Sequence, residues 1–269
     1  MSSNLGLGWI KPEKYSFNSL LLMERFQLYY ALGKTKPEFT SAMGIALAAN
    51  PAVAWYIKHR CPERSNVVDE LLATVPKVTD EKELRDAEVY VLASLEDFVT
   101  YTTPEVMATA CDFIYGWDEQ RLFELEDFEG KTVLDIGAGS GRLAFAAAKK
   151  ATMVYAIEPV ATLREFMRNE IARLGITNIR VLDGFMMSLP YPDAIFDIVM
   201  SGHVVGDHID EELAEMARVT KPKGWMLNVP GDQRFAILPF KELTERGFEE
   251  IHYVGCFGKD VYIHRKQKS

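Results

Sequence analysis

The second half of the sequence alternates between short apolar segments and longer amphipathic ones, and this alternation limits the possible folds more than any other feature. Five apolar segments follow residue 130, namely TVLDIG, MVYAIE, IRVLDG, FDIVMSG and WMLNVPG. Stretches with helical spacing lie between them, such as ATLREFMRNEIARLG, in which Gly175 is the expected stop signal. Apolar strands separated by helices are typical of a parallel sheet that is covered on both faces.

The last two strands are expected to pair differently. EEIHYVGC and DVYIHRK are joined by a few residues that include Gly258, which is too short for a helical crossover. Such a connection makes an antiparallel hairpin. The sequence before residue 118 shows no strand pattern and is interrupted repeatedly by prolines. Its clearest helix runs from Asp80 to Tyr101, where one apolar face is predicted from Val89, Leu92, Leu95, Phe98 and Val99.

Composition excludes several classes of partner. The chain of 269 residues has a net charge of −9, so no basic surface for nucleic acid is expected. The longest apolar stretch, Gly44 to Ile57, is interrupted by Asn50-Pro51 and is shorter than the ~20 residues that span a bilayer. The start lacks the pattern of a secretory signal. We therefore expect a soluble, cytoplasmic protein without a membrane span.

Neither the histidines nor the cysteines have the spacing of metal ligands. The five histidines include no pair at i and i+4 with a glutamate between, and the three cysteines lie far apart. No metal site is expected, and the cysteines are interpreted as packing residues.

The turn after the first strand reads VLDIGAGSG and has glycines at alternate positions, Gly137, Gly139 and Gly141. This spacing differs from the G-x-G-x-x-G pattern of dinucleotide-binding turns. Asp135 would also repel a pyrophosphate, since like charges ~4 Å apart cost about 1 kcal/mol in water and about 4 kcal/mol at an effective dielectric of 20. A ligand that carries a sulfonium and an ammonium would reverse the sign of this interaction.

The next two strands also end in acids, Glu158 and Asp183. The carboxyl ends of parallel strands face the crevice in which such sheets bind ligands. Because a carboxylate only accepts hydrogen bonds, Glu158 suits a ribose diol and Asp183 suits an exocyclic amine such as adenine N6. The alternative is that these acids are solvated loop residues or helix caps.

These motifs resemble the class I S-adenosylmethionine-dependent methyltransferases. The resemblance is carried by VLDIGAGSGRLAFAAA, VYAIEP, VLDGFMMSLPYPDAIFDIVMSG and LAEMARVTKPKGWMLNVPGD, and it covers residues 118–265. It implies a Rossmann-like α/β fold with a seven-stranded sheet, order 3-2-1-4-5-7-6 and strand 7 antiparallel. It also implies S-adenosyl-L-methionine as the cofactor and S-adenosyl-L-homocysteine as the product.

Carried over residue by residue, the resemblance implies a set of cofactor contacts. Asp135, Gly137, Ala138 and Gly139 would line the methionine end, and Glu158 would hold the ribose hydroxyls. Pro159 would pack on adenine, Asp183 and Phe185 would bind its edge, and Ser201 and Gly202 would lie beside the transferable methyl group.

The segment LPYPDAIFDIV is most similar to the branch of this family that methylates small molecules, so we expect a small-molecule acceptor with an oxygen, nitrogen, carbon or sulfur nucleophile. The N/D-P-P-Y/F motif of nucleic-acid methylating enzymes is absent. An NAD-dependent oxidoreductase and a non-catalytic S-adenosylmethionine-binding protein are the alternative functions. Glu158 would also permit the first of these, whereas the glycine spacing and Asp135 speak against it.

Residues 1–117 lie outside the resemblance and are expected to form an all-helical extension to a methyltransferase domain over residues 118–269. This extension is either a lid that selects the acceptor or a packing domain, through which a homodimer would form. The loop SGHVVGDH after the fourth strand holds the candidate bases His203 and Asp207. A neutral imidazole can take the proton that an acceptor loses, although a loop histidine can instead cap the following helix.

Overall fold

The computed structural model describes residues 11–95, 103–104, 107, 111–234 and 238–269, without the side chains of Asp112 and Tyr115. It divides the chain into two units, Met1–Thr103 and Pro104–Ser269. Residues 111–117 therefore belong to the second unit by their contacts. The domain boundary that we placed after residue 117 stays a prediction.

The described part of the first unit is helical. Short 3-10 helices cover Pro12–Lys14, Phe17–Leu22 and Pro62–Arg64, and the α-helices are α1 (Arg25–Leu32), α2 (Pro37–Ala49), α3 (Pro51–Arg60), α4 (Ser65–Thr74) and α5 (Glu81–Ser94). Proline occupies the first position of α2 and α3, where the missing N–H costs no helical hydrogen bond. The core of this unit includes Leu47, Ile57 and Val68, which are fully buried.

Helix α5 buries a face slightly different from the predicted one. Ala87, Val91 and Leu92 of α5 are buried, as is Leu95 directly after its end, because this face packs on α2. Val89 is only half-buried. The prediction missed Val91, because the apolar residues next to it in the sequence obscured its four-residue spacing from Ala87 and Leu95. Phe98 and Val99 lie outside the described residues.

The second unit alternates strands and helices. Its helices are α6 (Asp112–Tyr115), α7 (Gln120–Leu125), α8 (Arg142–Ala147), α9 (Ala161–Leu174), α10 (Ile209–Val219) and α11 (Lys241–Glu245). Its strands are β1 (Thr132–Ile136), β2 (Met153–Ile157), β3 (Ile179–Leu182), β4 (Phe196–Ser201), β5 (Thr220–Asn228), β6 (Glu249–Val254) and β7 (Asp260–Gln267).

The seven strands form one sheet in the order β3-β2-β1-β4-β5-β7-β6, which confirms the predicted order. Strands β1 to β5 are parallel to one another, whereas β7 is antiparallel to both β5 and β6. Both faces of the sheet are packed, one around Val133 and Met200 and the other around Leu134 and Val199. The predicted hairpin is also confirmed, and Gly258 occupies its turn with a φ of +67°.

The topology determines where a ligand can bind. Strand β1 lies between β2 and β4, so the chain moves to one side of β1 for β2 and β3 and to the other side for β4 and β5. A crevice opens at such a reversal, above the carboxyl ends of the strands. The glycine turn that follows β1 lies at this point. No helix in the described part of the chain is long and apolar enough to cross a membrane.

Candidate active site

The glycine turn has a backbone conformation that other residues rarely adopt. Gly137, Gly139 and Gly141 have φ values of +64°, +57° and +96°. A Cβ atom at Gly137 would lie 2.4 Å from the Val204 side chain, and one at Gly141 would lie 2.4 Å from the Phe145 ring. Glycine is therefore required at both positions, for conformation and for space. The turn is joined to β2 by a 2.9 Å hydrogen bond from the Ala138 N–H to a backbone carbonyl.

Glu158 directly follows β2 and is buried beside this turn. Its carboxylate accepts hydrogen bonds from the N–H groups of Gly139 and Val160, each at 2.9 Å. Burial raises the pKa of Glu158 to about 7 in spite of these two bonds, since the charged form loses its hydration. Each carboxylate oxygen has a second lone pair, so Glu158 retains capacity for two further donors.

Asp135, which we expected to end the first strand, is the penultimate residue of β1, since the strand continues to Ile136, and only 1% of its surface is exposed. Its Oδ2 atom has no hydrogen-bond partner among the described residues. Burial raises the pKa of Asp135 to about 7, the charge of Arg142 opposes this shift, and the charge of Glu158 adds to it. Two buried carboxyl groups with raised pKa values therefore lie at neighbouring strand ends.

Asp183 follows β3 and is exposed, unlike the other two acids. It forms an ion pair of 3.1 Å with Arg164, which also donates a 2.7 Å hydrogen bond to the backbone carbonyl of Glu158. Sequence reasoning missed Arg164, which links the ends of β2 and β3. Pro159 and Phe185 are half-buried next to these acids in sequence.

Strand β4 ends at Ser201, whose buried Oγ atom has no partner among the described residues. Gly202 follows it in a confined space, since a Cβ atom there would lie 2.7 Å from both Arg142 Nη2 and the carbonyl oxygen of Val229. The end of β4 is thus in direct contact with the loop that follows β5.

His203 is the next residue, and its ring is held by this loop. The Nε2 atom lies 2.6 Å from the carbonyl oxygen of Pro230 and 3.1 Å from the side-chain nitrogen of Gln233, and the ring lies 4.3 Å from that of Phe113. Desolvation and then the charge of Arg142 lower the pKa of His203. His203 is exposed, so its desolvation is only partial. With full or partial desolvation, the ring is neutral at pH 7.

Two backbone N–H groups in the rest of this loop are bound by Glu212, and not by a histidine side chain as the alternative interpretation expected. Asp207 is exposed and His208 makes no capping hydrogen bond with its side chain. The buried carboxylate of Glu212 accepts the N–H groups of Gly206 and His208, at 2.7 and 3.1 Å. Neither His203 nor His208 therefore caps helix α10 with its side chain.

Arg142 is the main site residue that sequence reasoning missed. Its Nη2 donates to the carbonyl oxygen of Val229 at 2.6 Å, and its guanidinium carbon lies 4.6 Å from the centre of a Trp117 ring. The Nη1 atom is buried without a partner among the described residues. A signal was present: an arginine that begins a helix opposes the helix dipole, which suggests that it has a role elsewhere.

A buried acid joins the loop after β5 to the C-terminal hairpin. Asp232 accepts hydrogen bonds from the Tyr253 hydroxyl and from the N–H of Cys256, both at 2.7 Å. The loop that carries Gln233 is therefore fixed to the hairpin at Asp232. In the part of the chain that the structure describes, no group of three or more histidine, cysteine, aspartate or glutamate side chains could hold a metal ion.

Comparisons with known proteins agree with this fold. Residues 133–224 match the family model described as a methyltransferase domain. Demethylmenaquinone methyltransferase from Geobacillus kaustophilus is 28% identical over 142 residues, which are 51% of this chain and 57% of that protein. Protein-L-isoaspartate O-methyltransferase from Methylorubrum populi is 34% identical over 127 residues, 45% of this chain and 54% of that protein. The chain spans about half the length of these relatives.

Among solved structures, a SAM-dependent methyltransferase from Aquifex aeolicus aligns with a TM-score of 0.51 at 20% identity. The alignment covers 63% of this chain and 98% of that one, so it supports the fold. The comparisons do not favour the NAD-dependent oxidoreductase or the non-catalytic binding protein.

The raised pKa values predict an unusual pH dependence of stability. Between about pH 4.5 and pH 7 the folded protein keeps a proton on Glu158 that the unfolded chain releases, so this group stabilises the fold at low pH and loses that effect as the pH rises through 7. We expect Glu158→Gln to remove a contribution of about 1–3 kcal/mol between pH 5 and pH 7.5, measured by urea unfolding. Glu165→Gln on the exposed side of α9 is the control. Equal pH slopes in wild type and Glu158→Gln would contradict the assignment.

Proposed function

We propose that this protein, whose second unit belongs to the class I S-adenosylmethionine-dependent methyltransferases, transfers a methyl group from S-adenosylmethionine to a small-molecule acceptor. The observation that carries the proposal is the pair of buried carboxyl groups, Asp135 and Glu158, beside the glycine turn. An ionised acid at this position disfavours a pyrophosphate and favours a cation. The capacity of Glu158 for two further donors matches the two hydroxyl groups of a ribose.

The residues at the strand ends fit this cofactor. Asp135 has one buried oxygen without a partner, which an ammonium group would satisfy after a small adjustment of the turn. We assign the cofactor contacts to the predicted set: Asp135, Gly137, Ala138, Gly139, Glu158, Pro159, Asp183, Phe185, Ser201 and Gly202. Arg164 is added as the residue that holds Asp183 and the backbone of Glu158 in place.

Bound S-adenosylmethionine supplies an electrophilic methyl group on a sulfonium. The chain has to align the acceptor with this group, exclude water and, where the acceptor loses a proton, take that proton up. The acceptor side is built by the loops after β4 and β5, with His203, Gln233 and Phe113 as its polar and aromatic groups. Small-molecule acceptors fit the net charge of −9, which gives no basic surface for nucleic acid.

The cofactor assignment is tested by binding. Isothermal titration calorimetry should detect S-adenosylhomocysteine binding to wild type, and Glu158→Ala should lose about 1.5–3 kcal/mol of binding free energy, because charge-assisted hydrogen bonds to the ribose are lost. Ribose donors favour the ionised carboxylate, so binding near pH 6.5 should also release protons, seen as a binding enthalpy that changes with the buffer.

Glu165→Ala, on the exposed side of α9, is the matched control and should bind like wild type. Unchanged affinity in Glu158→Ala would contradict the ribose assignment. Binding of NAD without binding of S-adenosylhomocysteine would overturn the proposed function.

We propose His203 as the general base for an acceptor that loses a proton. His203→Gln should lower kcat by ~10² to 10⁴ while the affinity for S-adenosylhomocysteine stays within about twofold of wild type. The measurement is the rate of S-adenosylhomocysteine formation in a screen of small hydroxyl- and amine-bearing acceptors. Wild-type rates in His203→Gln would remove the histidine from the reaction, and Asp207 would be tested next.

We propose that the helical extension acts as a lid over the acceptor. A lid excludes water and competing nucleophiles from the reacting atoms. Limited proteolysis within residues 1–110 should therefore slow at least several-fold when S-adenosylhomocysteine and an acceptor are both present. The same rate with and without ligands would favour the alternative of a packing domain, for which size-exclusion chromatography with light scattering would detect a homodimer.

A further inference from the structure

Two side chains from the connections after neighbouring strands, β1 and β4, contact the carbonyl groups of two consecutive residues. Arg142, which begins α8, donates to the carbonyl oxygen of Val229, and His203, which follows β4, lies 2.6 Å from that of Pro230. Both also contact Phe113, whose ring centre is 4.3 Å from the histidine ring and 5.9 Å from the guanidinium carbon. The arginine and the histidine are therefore parts of one packed cluster around the loop after β5.

The contact with Pro230 determines which nitrogen of His203 carries the proton. A carbonyl oxygen can only accept a hydrogen bond, so at 2.6 Å the Nε2 atom has to be the protonated one. The Gln233 amide beside it is compatible with this, because rotating the amide by 180° presents its oxygen to the same N–H. In the neutral ring the lone pair then belongs to Nδ1.

The position of Pro230 depends in turn on Arg142. The guanidinium lies in a confined space, since a Cβ atom at Gly231 would be 2.6 Å from Nη1 and one at Gly202 would be 2.7 Å from Nη2. The stack on Trp117 and the bond to Val229 fix the arginine against this loop. Two glycines thus make room for the guanidinium on either side.

We propose that Arg142 is a positioning residue for His203: it holds the loop whose Pro230 carbonyl fixes the Nε2–H tautomer, so that Nδ1 is the atom that takes the proton of the acceptor. This inference rests on the proposed role of His203 as a base. Two effects of Arg142 act together. The hydrogen bond to Val229 fixes the loop, and the positive charge disfavours a second proton on the ring. Two other charged groups lie in this loop: Asp232 is engaged by Tyr253 and Cys256, and the guanidinium carbon of Arg234 lies 5.7 Å from the centre of the Phe257 ring.

Nuclear magnetic resonance of the imidazole nitrogens tests the proposal without a methyl acceptor. Long-range ¹H–¹⁵N correlation spectra of full-length protein labelled with [¹⁵N]histidine distinguish the two tautomers, and His203→Gln identifies the signal among the five histidines. We expect the Nε2–H tautomer in wild type, with a titration midpoint well below the ordinary value of about 6.5.

Arg142→Met should yield a mixture of tautomers and raise the midpoint of His203 by about one pH unit or more, since both the loop contact and the charge are lost. Arg142→Lys should keep the low midpoint, because it keeps the charge, and still lose the single tautomer, because an ammonium lacks the planar fork. Arg168→Met is the matched control, since Arg168 also donates to a backbone carbonyl, that of Val181, but at an exposed site on α9.

An Nδ1–H tautomer in wild type would overturn the proposal, and so would wild-type spectra in both Arg142 variants. Circular dichroism shows whether each variant folds. If Arg142→Met does not fold, the tautomer of wild type and the spectra of Arg142→Lys still test the proposal. Calorimetry with S-adenosylhomocysteine on the same samples tests the proposed function separately.

Discussion

The hydrogen bond from the Gly139 N–H to the Glu158 carboxylate is the contact on which the proposed cofactor site depends. It joins the turn after β1 to the end of β2, and Glu158 in turn donates its own N–H to the carbonyl of Leu182 at the end of β3. Hydrogen bonds therefore connect the ends of β1, β2 and β3 beyond the last paired residues of these strands. A buried carboxylate needs such donors, because an unpaired one would be strongly destabilising.

This arrangement has an electrostatic consequence. Burial raises the pKa values of both Asp135 and Glu158 because their charged forms lose hydration, and the charge of Glu158 adds to the shift of Asp135. Arg142 compensates only in part, since it is itself desolvated and its pKa is lowered to about 10. A cationic ligand would supply the missing positive charge, whereas a pyrophosphate would add to the repulsion. The site therefore favours a positively charged ligand, whatever specific contacts that ligand makes.

Much of the cofactor side could be predicted from the sequence because it is local in the chain. The strand and helix alternation, the glycine turn and the acids at the ends of β2 and β3 follow from motifs within single βαβ units, whereas the sheet order, which is confirmed, was implied by the family resemblance. What the sequence did not reveal was the environment of each acid. Asp183 is exposed and paired with Arg164, while Glu158 is buried, although both were read from the same pattern.

The acceptor side differs because its contacts connect distant parts of the chain. Arg142 and Val229 are 87 residues apart, His203 and Pro230 are 27 apart, and Asp232 reaches Tyr253 in another strand. No local periodicity encodes such pairs, so the sequence offered His203 as a candidate base, whereas the residues that contact its ring were missed. Its left-handed backbone, with a φ of +63°, is uncommon for a residue other than glycine and is maintained by those distant contacts. The environment of His203 is therefore a property of the assembled sheet edge and not of the loop that carries it.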